Sequence, residues 1–188
     1  MSMGTVLLIL IAAAALYLVA IYNRFVSLQA GIDAAWSDID VQLKRRYNLI
    51  PALIEVVKGY KDYEAGTLEK VIEARRQAEA ARTPAEKSAA ESLLGASLGK
   101  LFALAEAYPE LKADTQFTDL QQELSRIEDA IQNARRYYNA IVRDYNAKLR
   151  SFPDVLVAQK FRFTPREYFE LDESEAEAVR KMPSVDLS

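Results

Sequence analysis

The feature that most constrains the fold is a stretch of heptad-spaced apolar residues early in the chain. From Trp36 to Tyr60, apolar side chains recur at alternating steps of three and four, which predicts one long helix with a stripe facing neighbouring helices. The stripe consists of Trp36, Ile39, Leu43, Ile50, Leu53, Val57 and Tyr60. Arg46 interrupts it, and we expect this cation to fix helix register through a Glu or Tyr partner. Pro51 removes a backbone donor inside the helix and predicts a kink.

A second long stripe lies toward the end of the chain and predicts the last helix. From Phe117 to Phe152 the same spacing holds over five heptads, with Lys148 as the one gap. Its members are Phe117, Leu120, Leu124, Ile127, Ile131, Ala134, Tyr138, Ile141, Tyr145 and Phe152. Two shorter helices are expected in between. The first ends by Arg82, and the second starts at a capping box in Thr83 to Glu86.

These helices are joined by short connections, which make neighbours antiparallel. The sequence therefore predicts an all-α fold, a long antiparallel bundle of about four helices over residues 23–152. The tail, residues 153–188, is expected to be mostly extended.

The N-terminal region is predicted to cross a membrane. After a leader of residues 1–4, Thr5 to Tyr22 is an uncharged run that spans roughly 27 Å as a helix, close to the thickness of the hydrocarbon core. A cleaved signal peptide is the alternative, but no Lys or Arg precedes the run. Arg24 follows it, so the positive-inside rule favours an N-terminus outside and a cytoplasmic body. We expect a single-pass membrane protein that contacts the lipid bilayer through residues 5–22.

The tail carries many apolar residues, and we expect it to cover the membrane-proximal part of the two long stripes around Phe25 and Tyr145. The candidates for this cover are Val155, Leu156, Val157, Phe161, Phe163, Tyr168, Phe169 and Leu171. The alternative is a disordered acidic extension, and Glu173 to Ser188 is expected to be disordered in either case.

Composition narrows the function classes. The chain has no Cys and no His, which removes disulfides, thiolate metal sites and the commonest general base. A formal net charge of -3 argues against a nucleic-acid partner. A di-iron bundle site would need His, and Glu123 and Glu128 are expected to solvate an outer helix face. We therefore predict no catalytic residues, no metal site and no cofactor, and expect that the protein is not an enzyme.

Two basic-aromatic motifs are candidate interaction sites. Their residues are Lys44, Arg45, Arg46 and Tyr47 in the first motif and Arg135, Arg136, Tyr137 and Tyr138 in the second. They could bind anionic lipid headgroups or an acidic partner segment. The alternative is that the Arg stems lie on the bundle and pair with neighbouring carboxylates.

Several of these segments together resemble the LemA family. The resemblance rests on the N-terminal span, IDVQLKRRYNLIPALIEVVKGY (39–60), EAYPELKA (106–113), RRYYNAIVRDYN (135–146) and SFP (151–153). It covers nearly the whole chain in order and weakens after Pro153. The resemblance implies a membrane-anchored, mainly helical bundle of bacterial origin, and it implies no particular reaction or catalytic residue.

Two functions fit these expectations. The first is a non-enzymatic, membrane-anchored scaffold or interaction protein of the bacterial cell envelope, with a protein partner. The alternative is a self-assembling protein that shapes or senses membranes, whose long helices form a homo-oligomer.

Overall fold

The chain folds almost entirely into helices. The computed structural model describes residues 2–60 and 65–169, of which about 85% are helical and none lies in a β-strand. The helices are α1 (Met3–Lys58), α2 (Ala65–Ala80), α3 (Pro84–Ala105), α4 (Pro109–Lys112), α5 (Thr115–Lys148) and α6 (Asp154–Lys160). The prediction of an all-α fold with two long helices and an N-terminal apolar helix is confirmed.

Helix α1 is continuous from the apolar N-terminal run to the end of the first predicted stripe. It has 56 residues, which corresponds to about 84 Å of helix. Pro51 lies inside it with its side chain exposed. The helical assignment runs through this proline, and the kink itself stays a prediction.

Helix α3 begins at the predicted capping box. The Glu86 amide donates to Oγ1 of Thr83 over 3.2 Å, and the Glu86 carboxylate accepts from the Thr83 amide over 3.2 Å. The same carboxylate accepts from the Arg82 amide over 2.9 Å. These two backbone hydrogen bonds lower the pKa of Glu86. A four-residue sequence signal therefore specified this helix start locally.

The described residues form two compact units. Unit 1 contains residues 2–42 and 130–167, and unit 2 contains residues 43–60, 65–129 and 168–169. Helices α1 and α5 contribute residues to both units.

In unit 1, α1 and α5 pack in opposite directions around an aromatic core. The rings of Phe25 and Tyr145 have centroids 5.9 Å apart, and those of Trp36 and Tyr138 have centroids 5.5 Å apart. Partners on α5 thus come earlier in the chain as those on α1 come later, which is the antiparallel arrangement.

The segment after α5 adds to unit 1. Phe163 stacks on Phe25 with ring centroids 4.9 Å apart, and Val157 and Ala158 of α6 are buried. Three further residues predicted to provide cover, Leu156, Phe161 and Tyr168, are exposed. Leu171 and Glu173 to Ser188 lie outside the described residues.

One residue of the predicted inward stripe of the last helix is exposed. Phe152 was placed on the inward stripe of the last helix, but it is 81% exposed. Helix α5 ends at Lys148, so the helical spacing no longer decides which way residue 152 faces. Residues 154–160 of the tail form α6, and residues 161–169 are not helical.

Candidate functional site

Unit 2 contains a cluster of charged and polar side chains in its core. We define the charge cluster as Arg46, Tyr47, Glu91 and Glu128. Nη1 of Arg46 lies 3.0 Å from Oε2 of Glu91 and 3.1 Å from Oε2 of Glu128. The Tyr47 hydroxyl donates to Oε1 of Glu91. The side chains of Arg46 and Glu91 are only 8% and 7% exposed, so both charges are held away from water.

The position of Arg46 follows from its place on the stripe of α1. It lies between Leu43 and Ile50, which are fully buried, so the same helix face carries the guanidinium into the core. Gly95 of α3 borders this space, because a Cβ there would lie 3.5 Å from Nη2 of Arg46. Glu91 precedes Gly95 by one helical turn and therefore lies on the same face.

Neighbouring cations support Tyr47. Nε of Arg75 on α2 donates to the Tyr47 carbonyl over 2.9 Å. Nζ of Lys87 on α3 lies 5.7 Å from the centroid of the Tyr47 ring and donates to the carbonyl of Ala78 over 3.1 Å. These contacts join α1, α2 and α3 through polar groups in the core of unit 2.

The electrostatics of the cluster depend mainly on burial. Burial raises the pKa of Glu91, while the Tyr47 hydrogen bond and the charges of Arg46 and Lys87 act in the opposite direction. Each carboxylate oxygen of Glu91 already accepts a hydrogen bond from another member of the cluster. The polar atoms of the cluster therefore bind one another, and the cluster can hold helices together. Pairing of Arg46 with Glu91 on another helix is what a register residue requires, and the register role itself stays a prediction.

The two carboxylates expected on an outer face behave differently. Glu123 is partly exposed and lies 3.6 Å from Arg45 and 3.4 Å from Arg126. Glu128 does not simply face solvent, because it reaches the buried Arg46. Its side chain is 39% exposed, about as much as the 36% of Glu123. Glu128 therefore keeps a surface position, and only its pairing with Arg46 was not foreseen.

Equivalent residues of the two basic-aromatic motifs differ in burial. In unit 2, Lys44 and Arg45 are exposed, whereas Arg46 and Tyr47 are buried. In unit 1, Arg136 and Tyr137 are exposed, Arg135 is half-buried and Tyr138 is buried. The shared pattern therefore does not produce two copies of one site.

A set of hydrogen bonds in unit 1 was not predicted. The hydroxyls of Tyr138 and Tyr145 donate to the carbonyls of Glu167 and Thr164 over 2.9 and 3.0 Å. Asn146 binds the backbone of Arg166 twice, through its amide nitrogen and its amide oxygen, each over 2.9 Å. Burial raises the pKa of both tyrosines. The three side chains hold residues 164–167 in an extended conformation along α5, and no heptad pattern reports such bonds.

Unit 2 also has a shallow surface groove of about 430 Å³ between α1 and α5. Leu49 and Leu120 contribute apolar surface, and the remaining lining residues are Gln116, Asp119, Gln122, Glu123 and Arg126. Among the described residues, no group of three or more His, Cys, Asp or Glu side chains could hold a metal ion.

The N-terminal part of α1 has the length and composition of a membrane span. An 18-residue window in this helix has a mean hydropathy of 2.6, and only 6% of it is buried. Residues 3–20 are all exposed, and burial begins at Ile21 and Phe25. This helix supports the predicted association of the protein with a membrane.

Comparisons with known proteins agree with this architecture. The LemA family profile matches residues 35–186. Protein LemA of Metamycoplasma hominis is 34% identical over 143 residues, covering 73% of this chain. Magnetosome protein MamQ 2 of Paramagnetospirillum magneticum is 25% identical over 175 residues, and MamQ of Magnetospirillum gryphiswaldense is 26% identical over 174 residues, each covering 79% of this chain. The chain spans 64% of the length of each of these relatives.

Proposed function

We propose that this chain, which belongs to the LemA family, is a non-enzymatic, membrane-anchored helical scaffold or interaction protein of the bacterial cell envelope. The observation that carries the proposal is the continuity of α1. The exposed apolar run and the buried residues Phe25, Ile32 and Ile39 belong to one unbroken helix. Because the helix is uninterrupted, its membrane-spanning part fixes the position and orientation of unit 1 relative to the bilayer. An anchored scaffold requires this.

The polar interior supports a structural role. In the charge cluster, Arg46 and Tyr47 both bind Glu91, and all three are buried. A catalytic group would need access to a substrate, whereas a buried network of paired charges contributes to a unique packing arrangement. The names of the relatives, Protein LemA and Magnetosome protein MamQ, specify no reaction. Because the chain spans only 64% of their length, their roles come to this protein as part of the proposal.

Orientation is part of the same proposal. Arg24 lies two residues after the span and is exposed, and the positive-inside rule then favours helical units in the cytoplasm with the N-terminus outside. A protein partner would therefore approach from the cytoplasmic side. The groove at Leu49 and Leu120 is the described feature of unit 2 best suited to a short amphipathic segment.

Crosslinking in native membranes tests the scaffold. A photoreactive side chain at Leu120, in the groove, should give a discrete crosslinked band containing a second protein. The matched control is the same group at Tyr137, which is 60% exposed on α5. Equal, diffuse crosslinking from both positions would contradict a scaffold that uses this groove.

A specific observation favours self-assembly as the second candidate. A stripe of small and apolar residues on α1 is exposed beyond the span, at steps of four, four, three and four. It consists of Val26, Ala30, Ala34, Ser37 and Val41. These steps keep the stripe on one face of α1, which would form the seam between two copies, and small side chains allow close helix approach.

The native mass of the full chain in mild detergent separates the two candidates. The scaffold predicts a monodisperse monomer, whereas self-assembly predicts a multimer. In the second case, Ala34→Glu should dissociate the multimer, because it places a charge in the seam. Asp38→Glu, at a neighbouring exposed position that is already acidic, is the matched control.

A further inference from the structure

A second surface of unit 1 lies beside the end of the membrane span. The ring of Tyr22, the last residue of the apolar run, lies 4.7 Å from that of Phe161 and 5.8 Å from that of Phe163, measured between centroids. The C-terminal end of α6 is therefore in direct contact with the point where α1 leaves the apolar run. Aromatic side chains at such a point are typical of the membrane interface.

This surface exposes large apolar side chains. Phe152 is 81% exposed, Leu156 is 54% exposed and Phe161 is 56% exposed. On α6, Leu156 and Lys160 are four residues apart and both exposed, so they share one face, while Val157 and Ala158 face the core of unit 1. Exposed apolar residues grouped in this way indicate a contact surface.

The same surface is basic. Residues 148–163 contain four Lys or Arg and one acidic residue, Asp154. Arg150, Lys160 and Arg162 are exposed, and Asp154 is half-buried. Apolar side chains interleaved with cations fit the interface of an anionic bilayer, where the rings enter the headgroup region and the cations meet phosphate groups.

The backbone at Arg162 adds an independent observation. Helix α6 ends in a Schellman motif: the Phe163 amide donates to the Ala158 carbonyl over 2.9 Å, and the Arg162 amide donates to the Gln159 carbonyl over 3.3 Å. Arg162 has a φ of 57°, the left-handed conformation that glycine adopts at least cost. The chain thus carries an exposed arginine where local structure favours glycine, which indicates a use for the side chain beyond the fold.

We propose that Phe152, Leu156, Lys160, Phe161 and Arg162 form a juxtamembrane surface that docks on the anionic headgroups of the bilayer crossed by α1. The proposal rests on the anchoring role of α1, because the span brings this surface to the bilayer. Docking gives unit 1 a second attachment, and the lipid charge next to the span then controls whether unit 1 lies against the membrane.

The test uses the full chain in vesicles of phosphatidylcholine alone or with 30% phosphatidylglycerol. The chain has no cysteine, so Leu156→Cys allows one environment-sensitive fluorophore to be attached on the surface. Tyr137→Cys, at an exposed position of α5 in the same unit, is the control. Quenching by lipids that carry a nitroxide near the headgroup reports the ratio of docked to undocked molecules.

The expected result is strong quenching at position 156 in anionic vesicles only, with little quenching at 137. Arg162→Gly and Lys160→Gln should each lower the docked-to-undocked ratio roughly five-fold, the value of one basic side chain near an anionic surface. High salt should lower it further. The thermal midpoint of Arg162→Gly should stay level or rise, since glycine suits the left-handed position. If Arg162 were purely structural, its replacement would not lower docking while leaving stability intact.

Three results would overturn the proposal. The first is quenching at position 156 that is as weak as at position 137. The second is quenching that is equal in both kinds of vesicle and unaffected by Arg162→Gly. The third is protection of the fluorophore from water only at a high protein-to-lipid ratio, which would mean that a second copy covers the surface. Flotation after an alkaline wash tests the anchor separately. A chain that floats but fails the quenching test contradicts docking alone, and a chain that washes off contradicts the anchor.

Discussion

The two units achieve tight packing by different chemistry. Unit 2 buries Arg46 and Glu91 and pairs them, whereas unit 1 is held by aromatic rings and by neutral hydrogen bonds from Tyr138, Tyr145 and Asn146 to an extended segment. Removing one member of a buried ion pair leaves an uncompensated charge, but removing one phenol hydroxyl costs only neutral hydrogen bonds. The comparison teaches that two helices with the same heptad spacing can depend on very different interactions along their length.

The largest difference should come from breaking the charge cluster. Arg46→Ala should lower the free energy of unfolding by about 3–5 kcal/mol, because it leaves the buried Glu91 without its cation. Chemical denaturation followed by circular dichroism measures this loss. Arg126→Ala is the matched control, since Arg126 is 74% exposed where it pairs with Glu123, and it should change stability by no more than about 0.5 kcal/mol. Equal losses from both variants would contradict a special role for the cluster.

Breaking unit 1 at one hydroxyl should have a smaller effect. Tyr145→Phe removes the bond to the Thr164 carbonyl and the bond from Gln29, at 3.0 and 3.2 Å, and should cost about 1–2 kcal/mol. Tyr137→Phe, at an exposed ring, should be close to neutral. A loss at Tyr145 as large as that at Arg46 would remove the distinction between the units.

How far each unit could be predicted from sequence follows the same division. The capping box at Thr83 is a local pattern, so four residues were sufficient to place the start of α3. Heptad spacing likewise identified Arg46 as a cation on an inward stripe. Its partner Glu91, 45 residues away, was not foreseen, although it lies three residues before Leu94 and continues the inward stripe of Leu94, Leu98 and Leu101 on α3.

Unit 1 shows a second limit of sequence reasoning. Asn146 binds the backbone of Arg166, and a backbone partner leaves no trace in side-chain patterns. Phe152 was misplaced because the heptad was extended past the end of α5 at Lys148. Periodicity predicts which residues face inward only as far as the helix itself continues.

The charge cluster should also make the stability of unit 2 depend on pH. Burial holds the pKa of Glu91 above its ordinary value of 4.5, so in the folded state this group keeps its proton to higher pH than in the unfolded state. The contribution of Glu91 to stability is therefore fully present below the ordinary value and is lost as pH rises through the raised one. Unfolding free energies measured across this window should fall more steeply with pH for the natural chain than for Glu91→Gln. Identical slopes would contradict the raised pKa.

The smallest effect concerns two glycines of α3 and sharpens the description of unit 2. A Cβ at Gly99 meets nothing within 4 Å, whereas one at Gly95 would lie 3.5 Å from Nη2 of Arg46. Gly99→Ala should raise the free energy of unfolding by about 0.5–1 kcal/mol through helix propensity. Gly95→Ala should gain about as much, because its Cβ would make an ordinary van der Waals contact with the guanidinium of Arg46. A loss of stability for Gly95→Ala in thermal denaturation would show that the cluster does not tolerate an added methyl group.

The central claim is that α1 is both membrane anchor and core helix of one mature protein. The most direct test is the intact mass of the chain recovered from cell membranes after an alkaline carbonate wash. We expect a mass that includes residues 5–22, in the membrane fraction, and we expect a variant lacking residues 1–24 to move to the supernatant as a helical protein. A mature N-terminus beyond Tyr22 would contradict the claim.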